Sequence, residues 1–202
     1  MRFRPSLICI LVALLPLAAA DKQPKPGKWV SMFNGKNLDG WKANENPESW
    51  SVDTVDNVKV IKGNGKSSHL FWMKAECVNC EFKADVNVAD HGNSGMYFRT
   101  AFGPGFPKGY EAQVNATHSD PIKTGSLYGF TRILEAPHKP GEWFTQEITV
   151  QGNHIVIKVN GKVTTDIVDP KNTYTKGFLA LQQHDPGTLV YFKNLMYRKL
   201  PD

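Results

Sequence analysis

Residues Glu142 to Ile167, EWFTQEITVQGNHIVIKVNGKVTTDI, place apolar side chains at every second position and break the pattern only at turn-forming pairs. Ile148 and Val150 precede Gly152-Asn153; Ile155, Ile157 and Val159 precede Asn160-Gly161. Neighbouring side chains of a strand point to opposite faces, so a period of two predicts strands that each bury one face. Asn-Gly supplies the positive φ angles of a type I′ hairpin. The same punctuation recurs in WSVDTVDNVKVIKGNGK, CEFKADVNVAD, SGMYFRTAF, GYEAQVN, GFLALQQHD and TLVYFKNLMYRKL. Ten or more short strands and no sustained helical period predict an all-β fold: two antiparallel sheets packed face to face in a jelly-roll sandwich.

The ends of the chain read differently. MRFRPSLICILVALLPLAAA has a basic start at Arg2 and Arg4, a short apolar run and small residues at Ala18 to Ala20. Residues 1–20 are therefore expected to be a secretory signal peptide cleaved near Ala20-Asp21, with export to the periplasm or the exterior. Residues 21–28, DKQPKPGK, read as a tether, and 29–202 as one domain with a sizeable core. No other stretch is apolar enough to cross a membrane, so no membrane insertion is expected after cleavage. Losing the leader removes two arginines and no acids, lowering the formal charge from +5 to +3. The remaining basic residues are scattered, which argues against nucleic acid as a partner. Cys77 and Cys80 are close enough for a small disulfide loop in an oxidising compartment, or are two idle thiols.

GYEAQVN raises the functional question. Tyr110, Ala112 and Val114 suit a core, which turns Glu111, Gln113 and Asn115 to the other face. By the same parity Tyr97 and Arg99 oppose Met96 and Phe98, Tyr128 opposes Leu127, and Gln182 and His184 oppose Leu181 and Gln183. Trp41, Trp50, Trp72 and Trp143 can stack on a sugar ring or, more commonly, pack a core; Trp72 is assigned to stacking. His69, His91, His118, His138 and His154 lie mostly in turn-like contexts and read as surface residues. Retaining glucanases on such a sandwich carry E-x-D-x-x-E, two carboxyls flanking the scissile bond. Here Glu111 stands alone on its strand, with Gln113 and Ala116 at the other positions. Ordinary two-carboxylate hydrolysis is not expected.

SMFNGKNLDGWK, followed in order by GNSGMYFR, GYEAQV, GSLYGF, PGEWFTQEITVQGNHIVIKVNGK, GFLALQQHD and VYFKNLMYRKL, resembles the 3-keto-disaccharide hydrolase domain family, also described as 3-keto-glucoside 1,2-lyase/hydratase. The resemblance spans about Trp29 to Leu200. It departs at LQQHDPG, where the family more often has Gln-Asp-His-Gly, and at the Cys77/Cys80 insertion. It implies a concanavalin-like jelly roll acting on a small carbohydrate, a disaccharide or glycoside oxidised at C3.

Such a substrate suits a site with one carboxylate. A C3 ketone acidifies the C2 proton, so a base can remove it and the C1 oxygen can leave by elimination, with hydration following. The reaction needs a base, an acid and an electrophile at the C3 oxygen. Strand parity and these needs assign Glu111 and His184 as acid and base in either order, and Arg99 as the electrophile. Gln113, Tyr128, Gln182, Tyr97 and Trp72 are expected to bind substrate. No compact set such as H-x-H is present, so no metal ligand and no cofactor is assigned, and a divalent ion in place of Arg99 stays open. The rival reading is a lectin-like carbohydrate-binding module in which the same residues only hold hydroxyls.

Overall fold

The computed structural model describes residues 25–202; the expected leader and the start of the tether lie outside the described residues. In chain order the strands are β1 (Val30–Ser31), β2 (Trp41–Ala43), β3 (Trp50–Val55), β4 (Val58–Asn64), β5 (Ser68–Cys77), β6 (Cys80–Val88) and β7 (Asn93–Thr100). They continue as β8 (Tyr110–Asn115), β9 (Phe144–Gln151), β10 (His154–Val159), β11 (Lys162–Val168), β12 (Gly177–Gln183) and β13 (Leu189–Lys199). No α-helix occurs among the described residues.

Alternation becomes architecture directly. Ile155 pairs with Val150 and Ile157 with Ile148 across the β9–β10 hairpin, and all four are buried. Asn160 and Gly161 have φ of 50° and 76°, the backbone that joins β10 to β11 by a tight turn. The strands form two antiparallel sheets, one in the order β11-β10-β9-β6-β13-β4-β3 with β1 added on β13, the other β2-β5-β12-β7-β8. Phe82, Val86, Ile148 and Phe192 from the larger sheet meet Leu70, Met96, Phe98, Ala112 and Leu181 from the smaller one, and this shared layer is the core. The protein is an all-β jelly-roll sandwich.

Sheet parity decides what the smaller sheet shows on its outer face, and two expectations fail there. Trp72 shares the parity of Leu70 in SHLFWM, points into the core and packs on Tyr197 at 5.3 Å, so it cannot stack on a ligand. That run is apolar at both parities, which hid its orientation; the outer face of β5 carries His69 and Phe71 instead. Arg99 fails for another reason. The β7–β12 pairing slips between Phe178 and Ala180, and Arg99 takes a φ of 50° at this bulge. The turned side chain donates to the carbonyls of Val78, Gly152 and Tyr174 at 2.6–2.9 Å. It is 3% exposed and ties three loops together, away from the polar face.

Cys77 and Cys80 are joined by a disulfide across the β5–β6 turn. Closing so short a loop restricts the unfolded chain modestly. Replacing both cysteines by alanine should lower stability by about 2 kcal/mol and the melting temperature by about 5 °C. Thermal unfolding with and without reductant checks this.

Candidate active site

The outer face of the smaller sheet is roofed by two loops, residues 101–109 and 116–143. Asn115 is buried and holds the second loop: its amide donates to the carbonyls of Asp120 and Ile122, and its oxygen accepts from the His118 N–H. Further along, the Gln113 N–H donates to the Ser126 carbonyl and the Tyr128 N–H to the Glu111 carbonyl, so the loop runs beside β8 as a ragged extra edge. In this way Tyr128, from a segment without regular structure, reaches the side of Glu111. The first loop sets Phe102 on Phe71 at 5.0 Å and Phe106 on His69 at 5.5 Å.

Between the loops lies a cleft of about 360 Å³ lined by Asn93, Tyr97, Phe106, Glu111, Gln113, Asp120, Tyr128, Gln182 and His184, among others. Six of the eight residues expected from sequence meet here: Glu111, His184, Gln113, Tyr128, Gln182 and Tyr97. Arg99 and Trp72 do not. A larger groove of about 530 Å³ crosses the outer face of the other sheet. Its carboxylate, Asp85, is engaged by Thr145 on one oxygen and Asn194 on the other, leaving no free acid–base pair there.

Glu111 sits at the end of a hydrogen-bonded chain. The Gln182 amide donates to the Tyr97 hydroxyl at 3.0 Å, and that hydroxyl donates to Glu111 Oε2 at 2.8 Å. Burial pushes the Glu111 carboxyl up to about 8; the Tyr97 hydrogen bond opposes the shift and the charge of nearby Asp120 adds to it. Near neutral pH the group therefore carries a proton. Burial and the adjoining Glu111 likewise raise the Tyr97 phenol. Gly95, opposite Gln113 across the β7–β8 pair, makes room for this carboxyl, because a methyl added there would overlap the Glu111 side chain. Gly95→Ala should leave folding nearly intact, since a flexible side-chain end can move. It should lower turnover by about a hundred-fold through displacement of the acid, a split that melting temperature and kcat measured together will read.

His184 is held from the other side. Its Nδ1 lies 2.9 Å from Asp185 Oδ2, and Asp185 Oδ1 accepts the Gly187 N–H at 3.0 Å. An Nδ1–H donated to this carboxylate leaves Nε2 of the neutral ring as a lone pair, the arrangement of a positioned base. His118 Nε2 lies 3.5 Å from the same Asp185 oxygen. His118, His184 and Asp185 bring potential metal-ligating atoms within 4.8 Å of one another. However, His118 Nδ1 accepts the Asp120 N–H at 3.1 Å, so its proton sits on Nε2 facing Asp185. That tautomer fits a hydrogen-bonded His–Asp–His relay better than a cation.

Sequence reading missed His118, Asp120, Asp185, Asn93 and Phe106. Asp120 matters most, because it gives the cleft a second carboxylate; its oxygens accept from Tyr128 Oη at 2.9 Å and the Ile122 N–H at 2.8 Å. His118 and Asp120 come from an irregular loop with no period to read. Asp185 was legible only as the residue after His184.

The family described as a 3-keto-alpha-glucoside-1,2-lyase-like domain matches residues 28–198. Two candidate glycosyl hydrolases from Parabacteroides distasonis ATCC 8503 share the structure. One is 25% identical with a TM-score of 0.72, covering 87% of this chain and 94% of its own. The other is 28% identical with a TM-score of 0.67, covering 86% and 100%. The carbohydrate-binding module CBM66 from Bacillus subtilis, 16% identical with a TM-score of 0.55 over 79% of this chain and 96% of that one, shares the fold alone. Among curated proteins no match is found. A match over nearly the whole sandwich, with a polar cleft where a sugar would lie, places the protein among carbohydrate-active proteins, and the chain belongs to the 3-keto-alpha-glucoside-1,2-lyase-like domain family.

Proposed function

We propose that the protein is an exported enzyme that cleaves 3-keto-glycosides by elimination across C1 and C2. The observation that carries the reading is the opposed state of two groups in one cleft, a protonated Glu111 and a His184 whose Nε2 lone pair is set by Asp185. In the reaction His184 takes the C2 proton, and the electron pair moves into the C3 carbonyl to give the enolate. Collapse of the enolate forms the C1–C2 double bond and breaks the bond from C1 to the glycosidic oxygen, which takes the proton of Glu111. Addition of water to the enone then gives the free 3-keto sugar. Gln113, Tyr128 and Asn93 orient ring hydroxyls, as polar groups on a rigid sheet and its edge do. Export rests on the basic, apolar and small-residue pattern of residues 1–20.

Asp120 supports a second reading, a two-carboxylate glycoside hydrolase with Glu111 as the acid. A raised acid near an ionised one is the pairing such enzymes use. Against it, Asp120 is tied by Tyr128 and the loop backbone, whereas His184 has its Nε2 free. A chromogenic 3-keto-glucoside and its parent glucoside, each with and without chelator, test the choice. Release from the keto sugar alone, unaffected by chelator, is expected. Release that only a divalent ion restores would move the chemistry to a cation on His118, His184 and Asp185. Equal release from the parent favours the two-carboxylate reading, and binding without release the lectin.

A further inference from the structure

With Arg99 committed to loop carbonyls, the C3 oxygen needs another partner, and unpaired polar groups lie behind the cleft wall. His69 pairs with Gln182 in the β5–β12 register and is 1% exposed. Its ring meets Tyr97 at 5.1 Å and Phe106 at 5.5 Å, both edge to face. Nε2 of His69 and Oε1 of neighbouring Gln182 are both buried and make no hydrogen bond among the described residues. Leaving two such groups unpaired is costly enough that folded proteins rarely tolerate it without a use. Phe106, the wall in front of His69, is 60% exposed on a loop containing Gly103, Pro104, Gly105 and Pro107. That loop is held to β5's neighbourhood through the Asn44 amide, which donates to the carbonyls of Gly103 and Gly105. An exposed ring on such a loop can rotate aside without disturbing the sheet.

We propose that His69 and Gln182 form an inner subsite behind Phe106, in which the imidazole N–H holds the C3 oxygen of the keto sugar and the Gln182 oxygen takes an adjacent hydroxyl. This deepens, and rests on, the elimination reading. A donor beside an acceptor matches a ketone flanked by carbinols. The C3 hydroxyl of the parent sugar can also accept from the imidazole, but its own proton must then compete with the adjacent hydroxyl for the Gln182 oxygen. Burial lowers the His69 pKa to about 3, so the ring stays uncharged and donates as a neutral electrophile to the developing enolate.

The test compares wild type with His69→Phe, which keeps an aromatic ring but no N–H, and His69→Gln, which restores an amide donor. Binding of a 3-keto-glucoside and of its parent glucoside is measured by calorimetry, alongside turnover of the keto sugar. Wild type should prefer the ketone by about tenfold or more. His69→Phe should lose that preference and about a hundred-fold in turnover, with its melting temperature and the upper limb of its pH profile unchanged, and His69→Gln should recover part of both. The subsite is wrong if His69→Phe keeps both the preference and the turnover, or if wild type shows no preference. Should the phenylalanine variant fail to fold, the proposal stands on His69→Gln retaining part of the preference and is wrong if that variant loses it entirely. A wild type that prefers the ketone yet never releases the aglycone would defeat the elimination reading while leaving the subsite to be judged on binding alone.

Discussion

Glu111→Gln should reduce turnover of a 3-keto-glucoside by about a thousand-fold while leaving binding within a few-fold, because the amide keeps the shape and the Tyr97 hydrogen bond but has no proton to give. The pH profile should change with it. Wild-type activity should fall above about 8, where Glu111 ionises. In the variant the upper limb should vanish. Stability should move the other way. The folded carboxyl is raised well above its ordinary value, so its protonated form favours folding at low pH and that advantage fades as pH rises towards 8. Glu111→Gln, which never ionises, should therefore melt near wild type at pH 4 and above it at pH 8. A destabilised variant at pH 8 would mean that the carboxyl is not desolvated.

Arg99→Ala should instead cost stability and spare chemistry. The guanidinium satisfies carbonyls from the β5–β6 turn, the β9–β10 turn and the segment before β12, and its loss leaves them without their donor. A destabilisation of about 3–5 kcal/mol is expected, which lowers the melting temperature by about 10 °C in a domain of this size. Arg99→Lys should recover only part, since a point ammonium cannot span the carbonyls that a planar fork reaches. At temperatures well below the transition, turnover of either variant should lie within about threefold of wild type, as surface-remote sites usually behave independently. Loss of turnover in a folded Arg99→Ala protein would return this residue to the reaction.

These two residues also show what the sequence discloses. Period-two patterning carried the sandwich and its register, because a one-residue slip would expose every core side chain of a strand. It also carried Glu111 and Gln113 on β8, and Tyr97 and Gln182, which lie on the regular stretches of β7 and β12 to one side of the bulge. Arg99 broke the rule at a bulge whose glycine, Gly177, lies on the neighbouring strand and far away in sequence. Trp72 was misread because SHLFWM is apolar on both parities, and its outward pair, His69 and Phe71, is buried under a loop rather than by a sheet. Asp120, His118 and Phe106 come from loops whose course depends on Asn115, Ser126 and Asn44 finding backbone partners. No local pattern encodes such meetings.

The most direct measurement uses a 3-keto-glucoside carrying deuterium at C2, with product analysed at the earliest time that release is detectable. Proton removal from C2 by His184 requires that the label leave C2 with each aglycone, so the enone carries none and the hydrate regains it only where His184 returns the same deuteron. Product that keeps its full C2 deuterium, released as fast as from the unlabelled sugar, would show cleavage without an enolate, contradicting the elimination account and shifting the chemistry to Glu111 with Asp120.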